Sequence, residues 1–288
     1  MSAHARPLGG KVLTRQFLLI LTVGLLGGLL ILYRFFVGLS AVTNLSDGYS
    51  WGIWKPLNVV IATGIGSGGY AMALTVYVLN RGKFHPLVRP ALLVGALGYT
   101  IGGASVMVDL GRWWNILKVP VFVWAWNGNS VLLEVAICFL TYLAVLWTEL
   151  SPAVLEGLDD HRTLGKHARW VAPKLARAMP FIIALGVLLP TMHQSSLGSL
   201  FLLSTFLHPF WHTGLLPLLF LISTLMMGFS SVVGVDALAR YLLGRRQDRD
   251  MVPLDPDRFS TNQDAMIKLI GWAGNMTISN CFLQAVCK

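Results

Sequence analysis

The sequence predicts an all-α fold, a polytopic transmembrane helical bundle of about six to seven spans with a cytoplasmic N-terminus. Of the 288 residues, 55% are hydrophobic and only 12% are charged. A soluble globular domain carries about twice that charged fraction. In addition, apolar runs of roughly 20 residues, the length needed to cross a bilayer as a helix, recur along the chain. Most of the surface is therefore expected to face lipid.

The first apolar run is interpreted as a spanning helix and not as a secretory signal, because it continues past Leu32 without a small-x-small cleavage pattern. Five further runs satisfy the length requirement. The six predicted spans are Phe17–Leu39, Ile53–Leu79, Ala91–Leu110, Ser130–Leu150, Leu175–Leu189 with its flanks, and Leu215–Leu243. A seventh candidate, Ala265–Val286, is weaker because polar residues interrupt it. The predicted division is a cytoplasmic tail (1–16), the bundle (17–243) and a cytoplasmic linker with the seventh span (244–288).

The distribution of positive charge fixes the expected orientation. The N-terminal tail and the segments after the second, fourth and sixth spans together hold sixteen Lys and Arg residues. The opposite side holds four, which are Arg34, Lys55, Arg112 and Lys118. These charges lie in loops and form no basic helix face, so the net charge of +9 does not indicate a nucleic-acid partner. The N-terminus is therefore expected in the cytoplasm.

Three of the predicted spans carry a pair of glycines four residues apart, a spacing that lets helix backbones pack closely in lipid. The pairs are Gly24/Gly28, Gly64/Gly68 and Gly98/Gly102. The second pair lies in a literal GxGxxG pattern, but that pattern marks a dinucleotide site only between a strand and a helix. Within an apolar span it predicts helix packing.

The cysteines and histidines predict no metal and no covalently bound cofactor. Cys138, Cys281 and Cys287 have no spacing typical of an iron–sulfur or zinc site. A b-type haem needs two histidines that face each other within the bundle. All seven histidines are predicted in loops on the two sides of the membrane.

Ionisable residues inside a span are costly to bury, so each is a candidate functional residue. Four spans place polar or titratable groups at a similar depth towards the outer face. These groups are Asn58, Tyr99, Asp109 with the nearby Arg112, Glu134, and His193 with Gln194. Their convergence predicts a pocket for an amphipathic molecule that enters from lipid and exchanges protons.

Each candidate also has a structural interpretation. Asp109 and Arg112, three residues apart, equally fit an ion pair on a helix surface. His193 follows Pro190 and is predicted just past the outer end of the fifth span, where an interfacial histidine is common. Tyr99 on its own fits a core tyrosine. Glu134, a lone carboxylate about one turn inside its span, most strongly favours a functional role.

Four segments carry a resemblance to a known family. They are Pro7-Leu-Gly-Gly-Lys11, Trp51-Gly-Ile-Trp54, the segment from Asn80 to Pro90, and Leu188-Leu-Pro-Thr-Met-His-Gln-Ser-Ser-Leu-Gly-Ser199. From about residue 7 to about residue 233 the chain resembles the membrane subunit of type 2 uptake nickel–iron hydrogenases, within the polysulfide-reductase membrane-subunit (NrfD-type) family. After Arg240 the resemblance stops, so the C-terminal part diverges or is truncated.

The resemblance implies a quinone-reactive subunit of the bacterial inner membrane that binds no haem or metal. Its substrate would be menaquinone or ubiquinone. Its partners would be a periplasmic iron–sulfur electron-transfer subunit and the large and small subunits of a nickel–iron hydrogenase. By motif, Tyr99, Glu134 and His193 would handle quinone and protons, whereas relatives carry a carboxylate at the position of Asn58. Two alternatives remain open, a membrane transporter and a purely structural anchor.

Overall fold

A computed structural model describes residues 13, 15–43, 54–158, 164–203 and 212–250, without the side chains of 16, 54–58, 60, 158, 164, 236 and 239–250. Within these ranges the chain is helical and contains no strand. The helices are α1 (Arg15–Val37), α2 (Leu39–Thr43), α3 (Trp54–Gly66), α4 (Gly68–Ala73), α5 (Val88–Asp109), α6 (Lys118–Val121), α7 (Val131–Leu158), α8 (Leu164–Leu203) and α9 (Leu216–Asp250). The predicted seventh span and nearly all of the N-terminal tail lie outside the described residues.

Six helical segments in the described ranges are long and apolar enough to cross a membrane. They are Phe17–Val37, Ile61–Val78, Gly82–Asp109, Val131–Gly157, Gly165–Leu203 and Leu216–Val235. These segments match the six predicted spans, so the predicted polytopic all-α bundle is confirmed. The side of the membrane on which each loop lies stays a prediction from the charge distribution.

The second span is interrupted where its glycines cluster. Helix α3 ends at Gly66, Ser67 intervenes, and α4 continues into a π-helical turn over Leu74–Val78. The Ser67 hydroxyl donates to the Thr224 carbonyl of α9 over 3.0 Å. This interruption is tolerated at membrane depth because neighbouring helices bury it and accept its hydrogen bonds.

The fifth span is much longer than the apolar run that predicted it. Helix α8 continues through Pro173, Pro180 and Pro190 and ends at Leu203. Each proline removes one helical hydrogen bond, but in lipid the helix is the conformation that satisfies the remaining backbone groups. The prediction that His193 lies just past the outer end of this span is therefore wrong, because His193 lies inside the helix.

The core forms where α4 and α5 pack between α7, α8 and α9. Two of the three predicted glycine pairs lie at helix contacts. A Cβ atom at Gly98 would lie 2.6 Å from the Ala62 carbonyl oxygen of α3, and one at Gly68 would lie 3.0 Å from Ser231 and Val232 of α9. A Cβ atom added at Gly24 or Gly28 of α1 would meet no packing neighbour within 4 Å.

Helix α1 is mostly exposed, and only 6% of its most apolar stretch is buried against the rest of the bundle. Its C-terminal end is anchored by Arg34, whose side chain is buried and donates to the Leu110 carbonyl at the C-terminal end of α5. A cation at this position also interacts favourably with the negative end of the α5 dipole.

Candidate functional site

The fold brings three of the predicted site residues together inside the bundle. Tyr99 of α5 is fully buried. His193 and Gln194 of α8 are only 4% and 6% exposed. The Tyr99 ring lies against Phe139 and Tyr142 of α7, with ring centroids 5.2 and 4.8 Å away. We call Tyr99, Phe139, Tyr142, His193 and Gln194 the aromatic cluster.

Small residues give Tyr99 its place in the cluster. A Cβ atom at Gly66 of α3 would lie 2.6 Å from the Tyr99 ring, so the ring occupies the space that a larger residue would need. On the other side of the ring, the His193 centroid is 6.4 Å away. The interruption of the second span directly after Gly66 therefore lies behind the aromatic cluster.

The orientation of His193 is set by a backbone contact. Its Nδ1 atom lies 3.3 Å from the Val135 carbonyl oxygen of α7, which can only accept. In the neutral imidazole the proton is therefore assigned to Nδ1, and the lone pair is on Nε2. His193 can thus receive a proton at Nε2, or donate one from Nε2 once it is protonated.

The cluster contains hydroxyl groups that lack a hydrogen-bond partner among the described residues. They belong to Tyr99 and Tyr142. Gln194 lies within electrostatic reach of the Tyr99 hydroxyl, but the pair does not meet the geometry of a hydrogen bond. Buried polar groups are nearly always paired, and an exception calls for an explanation such as a role in binding or catalysis.

Glu134 lies next to the segment of α7 that contacts the cluster. It is in the first turn of α7, half-buried, and directly precedes Val135, whose carbonyl contacts His193. Its electrostatic influence reaches Cys138, one turn further into the membrane. The structure therefore places the predicted carboxylate next to the cluster in sequence and in depth.

The structure places the remaining predicted residues elsewhere. Asp109 is the last residue of α5, ten residues beyond Tyr99, which corresponds to about 15 Å along a helix. Arg112 is exposed in the turn after α5, so the two residues do not share the helix surface that their spacing suggested. Asn58 lies in α3, and its side chain is outside the described part of the chain.

An apolar groove lies at a different place from the aromatic cluster. It lies between α3 and α5 and has a volume of about 490 Å³. Its lining consists of Ile61, Ala62, Ile65, Val94, Leu97, Gly98, Ile101 and Ser105. The close contact of Gly98 with α3 separates this groove from the Tyr99 ring. The groove suits a hydrocarbon chain, whereas the polar chemistry belongs to the cluster.

Sequence reasoning missed Glu149, a carboxyl group in the C-terminal half of α7. It is 9% exposed, and its Oε1 atom has no hydrogen-bond partner among the described residues. It lies against α8 at Gly186, where an added Cβ would be 2.4 Å from Oε1. An ionisable residue inside a span is a candidate functional residue, and this applies to Glu149 as it does to Glu134. Glu149 was not considered because it is next to the last residue of the predicted span Ser130–Leu150.

Comparison with known proteins places these features in a family. The model of the family described as polysulphide reductase, NrfD, matches residues 41–256. A protein of Escherichia coli (strain K12), described as a probable Ni/Fe-hydrogenase 2 b-type cytochrome subunit, is 43% identical over 237 residues, which is 81% of this chain and 58% of the relative. The integral membrane subunit of menaquinone reductase from Nitratidesulfovibrio vulgaris is 29% identical over 174 residues, 60% of this chain and 40% of the relative.

The chain spans about half the length of the curated relatives it matches. No solved structure matches it significantly. The family match nevertheless covers most of the chain, including the whole aromatic cluster and all but the first of the six spans. The chain is thus a multi-pass integral membrane protein that belongs to the polysulphide reductase NrfD family.

Proposed function

We propose that the chain is the quinone-reactive membrane subunit of a respiratory hydrogenase-type oxidoreductase in the bacterial inner membrane. The observation that carries the proposal is the aromatic cluster. In it Tyr99, His193 and Gln194 are buried together between spans, and the Tyr99 and Tyr142 hydroxyls have no hydrogen-bond partner among the described residues. A quinone head group is a flat ring with two carbonyl acceptors. Aromatic side chains pack on such a ring, and hydroxyl, amide and imidazole groups hydrogen-bond to its oxygens.

Reduction of a quinone consumes two electrons and two protons. Tyr99 and Gln194 can donate hydrogen bonds to a carbonyl oxygen, which stabilises the negative charge that develops there as electrons arrive. His193 can carry a proton on Nε2, and Glu134, next to the segment of α7 that contacts the cluster, can supply or accept one. These residues therefore cover the proton chemistry of quinone reduction at a site that excludes bulk water.

The electrons would come from a periplasmic iron–sulfur subunit, fed by the large and small subunits of a nickel–iron hydrogenase. Two relatives support this proposal. The Escherichia coli protein is described as a hydrogenase 2 subunit, and the Nitratidesulfovibrio protein as a menaquinone reductase subunit. Menaquinone and ubiquinone both have the head group that the cluster suits. The groove between α3 and α5 is lined mainly by apolar residues, which suits part of the hydrocarbon chain of either.

Haem does not fit the described residues, although the Escherichia coli relative is described as a b-type cytochrome subunit. Two opposed histidines are needed within the bundle. In the described part of the chain His193 is buried, but the other three histidines, His85, His167 and His212, are exposed. No group of three or more His, Cys, Asp or Glu residues in the same part of the chain is arranged to hold a metal ion.

Purified chain is expected to show no Soret absorbance and no stoichiometric iron. The physical reason is that the other described histidines are exposed, so none of them is opposed to His193 inside the bundle. Absorption spectra of the oxidised and dithionite-reduced protein provide the measurement. A Soret band that stays with the protein through purification contradicts this prediction.

Replacement of Glu134 by glutamine is expected to lower hydrogen-dependent quinone reduction about 100-fold or more, because a side chain that transfers a proton typically contributes about 100- to 10,000-fold to a rate. The same loss is expected for His193→Ala. Both are measured in membranes that contain the complete complex, with hydrogen-dependent reduction of an artificial dye upstream as the control for assembly.

A normal rate of quinone reduction in the Glu134→Gln membranes contradicts the proton role of Glu134. If the wild-type membranes reduce dye but no quinone, the subunit is a structural anchor. A transporter, which the interrupted second span also suits, predicts substrate movement by the chain alone in liposomes without any partner.

A further inference from the structure

Helix α7 carries a row of polar groups that the proposed quinone chemistry leaves unused. Val135, Tyr142 and Glu149 follow one another at intervals of seven residues, so they share one face of the helix. Val135 contacts His193, Tyr142 belongs to the aromatic cluster, and Glu149 lies about 10 Å further along the helix. Because α7 begins at the outer side, this row leads from the cluster towards the cytoplasm.

Two residues of this row, and Tyr99 beside it on α5, have buried side-chain oxygens without hydrogen-bond partners. Among the described residues, the orphaned side-chain oxygens are those of Tyr99, Tyr142 and Glu149. Each costs free energy if it is left unpaired in a low-dielectric interior. The Tyr99 and Tyr142 rings are in contact, and Tyr142 and Glu149 share one face of α7. Exchange of protons among these groups and intervening water would explain why all three lack partners.

The surroundings of Glu149 suit a carboxyl group that is neutral for part of the time. Its neighbour on α8 is Gly186, which has no side chain and no charge. Pro190, four residues later, has no N–H group and so cannot donate to the Gly186 carbonyl as a regular helix would. A protonated carboxyl group at this place can approach a carbonyl that lacks its usual donor.

A route from Glu149 to the cytoplasmic side is also present. Glu149 contributes to the electrostatic environment of both Tyr142 and Tyr77. Tyr77 is 41% exposed in the π-helical turn that ends the second span. Its ring meets the exposed imidazole of His85 edge to face, with centroids 6.3 Å apart. His85 lies in the connection between the second and third spans, on the side predicted to be cytoplasmic.

We propose that Glu149 is the relay carboxyl of a proton path that runs from His85 and Tyr77, past Tyr142, to the aromatic cluster. The inference rests on the proposed function. The quinone takes two electrons from the iron–sulfur partner and two protons at the cluster, and the path replaces those protons from the cytoplasm. At Glu149 an O–H bond breaks towards Tyr142 as a new one forms from the Tyr77 side. The protons released by hydrogen oxidation stay outside.

The test uses the complete complex in sealed vesicles that oxidise hydrogen and reduce an added quinone, with a pH-sensitive dye on the cytoplasmic side. The wild type is expected to take up protons on that side during quinone reduction. Glu149→Gln, which keeps the shape of the side chain, is expected to slow quinone reduction at least about fivefold and to remove the cytoplasmic uptake. Glu149→Asp is expected to retain part of both.

Glu156→Gln is the matched control. Glu156 lies seven residues after Glu149 on the same helix, but it is exposed and pairs with Arg89 at 2.7 Å. Surface ion pairs contribute little to stability, and this one is outside the path. Quinone reduction and cytoplasmic uptake at the wild-type level are therefore expected for Glu156→Gln.

Two further variants keep the test decisive if Glu149→Gln does not assemble. Tyr142→Phe removes only an unpaired hydroxyl, so the complex is expected to assemble while cytoplasmic uptake falls. Gly186→Ala keeps the carboxyl group but displaces it from α8, and the same fall is expected.

Wild-type turnover that takes its protons from the outer side overturns the path and leaves the proposed quinone function intact. Normal cytoplasmic uptake in Glu149→Gln or in Tyr142→Phe also overturns it. Wild-type vesicles that reduce dye but no quinone overturn the proposed function itself, so the two failures are distinguishable.

Discussion

Replacement of Tyr99 by phenylalanine is expected to abolish most hydrogen-dependent quinone reduction and to leave the bundle intact. Tyr99 is fully buried and its ring contacts Phe139, Tyr142 and His193, contacts that phenylalanine preserves. The hydroxyl that is removed has no hydrogen-bond partner among the described residues. Its loss therefore costs no internal hydrogen bond, and stability is expected to stay the same or rise slightly.

The effect on turnover is expected to be large because, in the proposed function, that hydroxyl donates to a quinone oxygen as charge develops. Removal of one such donor costs about 100- to 1,000-fold in other enzymes. The measurement is the rate of quinone reduction in membranes, divided by the rate of dye reduction by the same complex. Separating kcat from KM for a soluble quinone analogue shows whether the hydroxyl acts in the chemical step or in binding.

Tyr33→Phe is the matched control for this variant. Tyr33 is in α1 and 54% exposed, so the same chemical change there touches neither the cluster nor the core. Unchanged turnover is expected. If Tyr99→Phe turns over quinone as fast as Tyr33→Phe does, the aromatic cluster is a packing feature and the quinone site lies elsewhere, with the groove between α3 and α5 as the next candidate.

Replacement of Gly98 by leucine is expected to prevent the bundle from forming correctly. A Cβ atom at this position would lie 2.6 Å from the Ala62 carbonyl oxygen and 3.0 Å from the Gly66 backbone. These are backbone atoms, which cannot rotate away as a side chain would, so α3 and α5 must separate. Overpacking of this kind costs about 1–3 kcal/mol and sometimes more, and leucine adds three further carbon atoms beyond the Cβ.

The consequence reaches the site because Gly66 also makes room for the Tyr99 ring. We therefore expect Gly98→Leu to lower both the amount of chain retained in the membrane and the apparent Tm of the purified protein in detergent. Gly28→Leu provides the comparison, since a Cβ atom added at Gly28 would meet no packing neighbour within 4 Å. Equal Tm values for the two variants would contradict the close crossing of α3 and α5.

The sequence by itself determined the class of fold. Long apolar runs have no stable alternative to helices in a bilayer, since every backbone polar group must be satisfied within the chain. The runs that predicted spans from Phe17 to Leu243 therefore correspond to the helices observed. The glycine pairs Gly64/Gly68 and Gly98/Gly102 were also correctly predicted as packing positions, because close backbone approach needs a residue without a side chain.

The tertiary structure alone decided which polar residues meet. Depth in the membrane can be counted along a span, but the direction in which a side chain points depends on how each helix is rotated against its neighbours. Tyr99, His193 and Gln194 share one interior, whereas Asp109 and Arg112, counted to a similar depth, do not.

Tertiary packing also determined the location of His193 and the burial of Glu149. The proline at 190 suggested a helix end, yet α8 continues because lipid offers its backbone no other partners, and this places His193 inside the bundle. Glu149 looked like a residue at the end of a run, yet contact with Gly186 on a neighbouring helix buries it. Burial is a property of two surfaces in contact, and one linear sequence specifies that contact only through the whole fold.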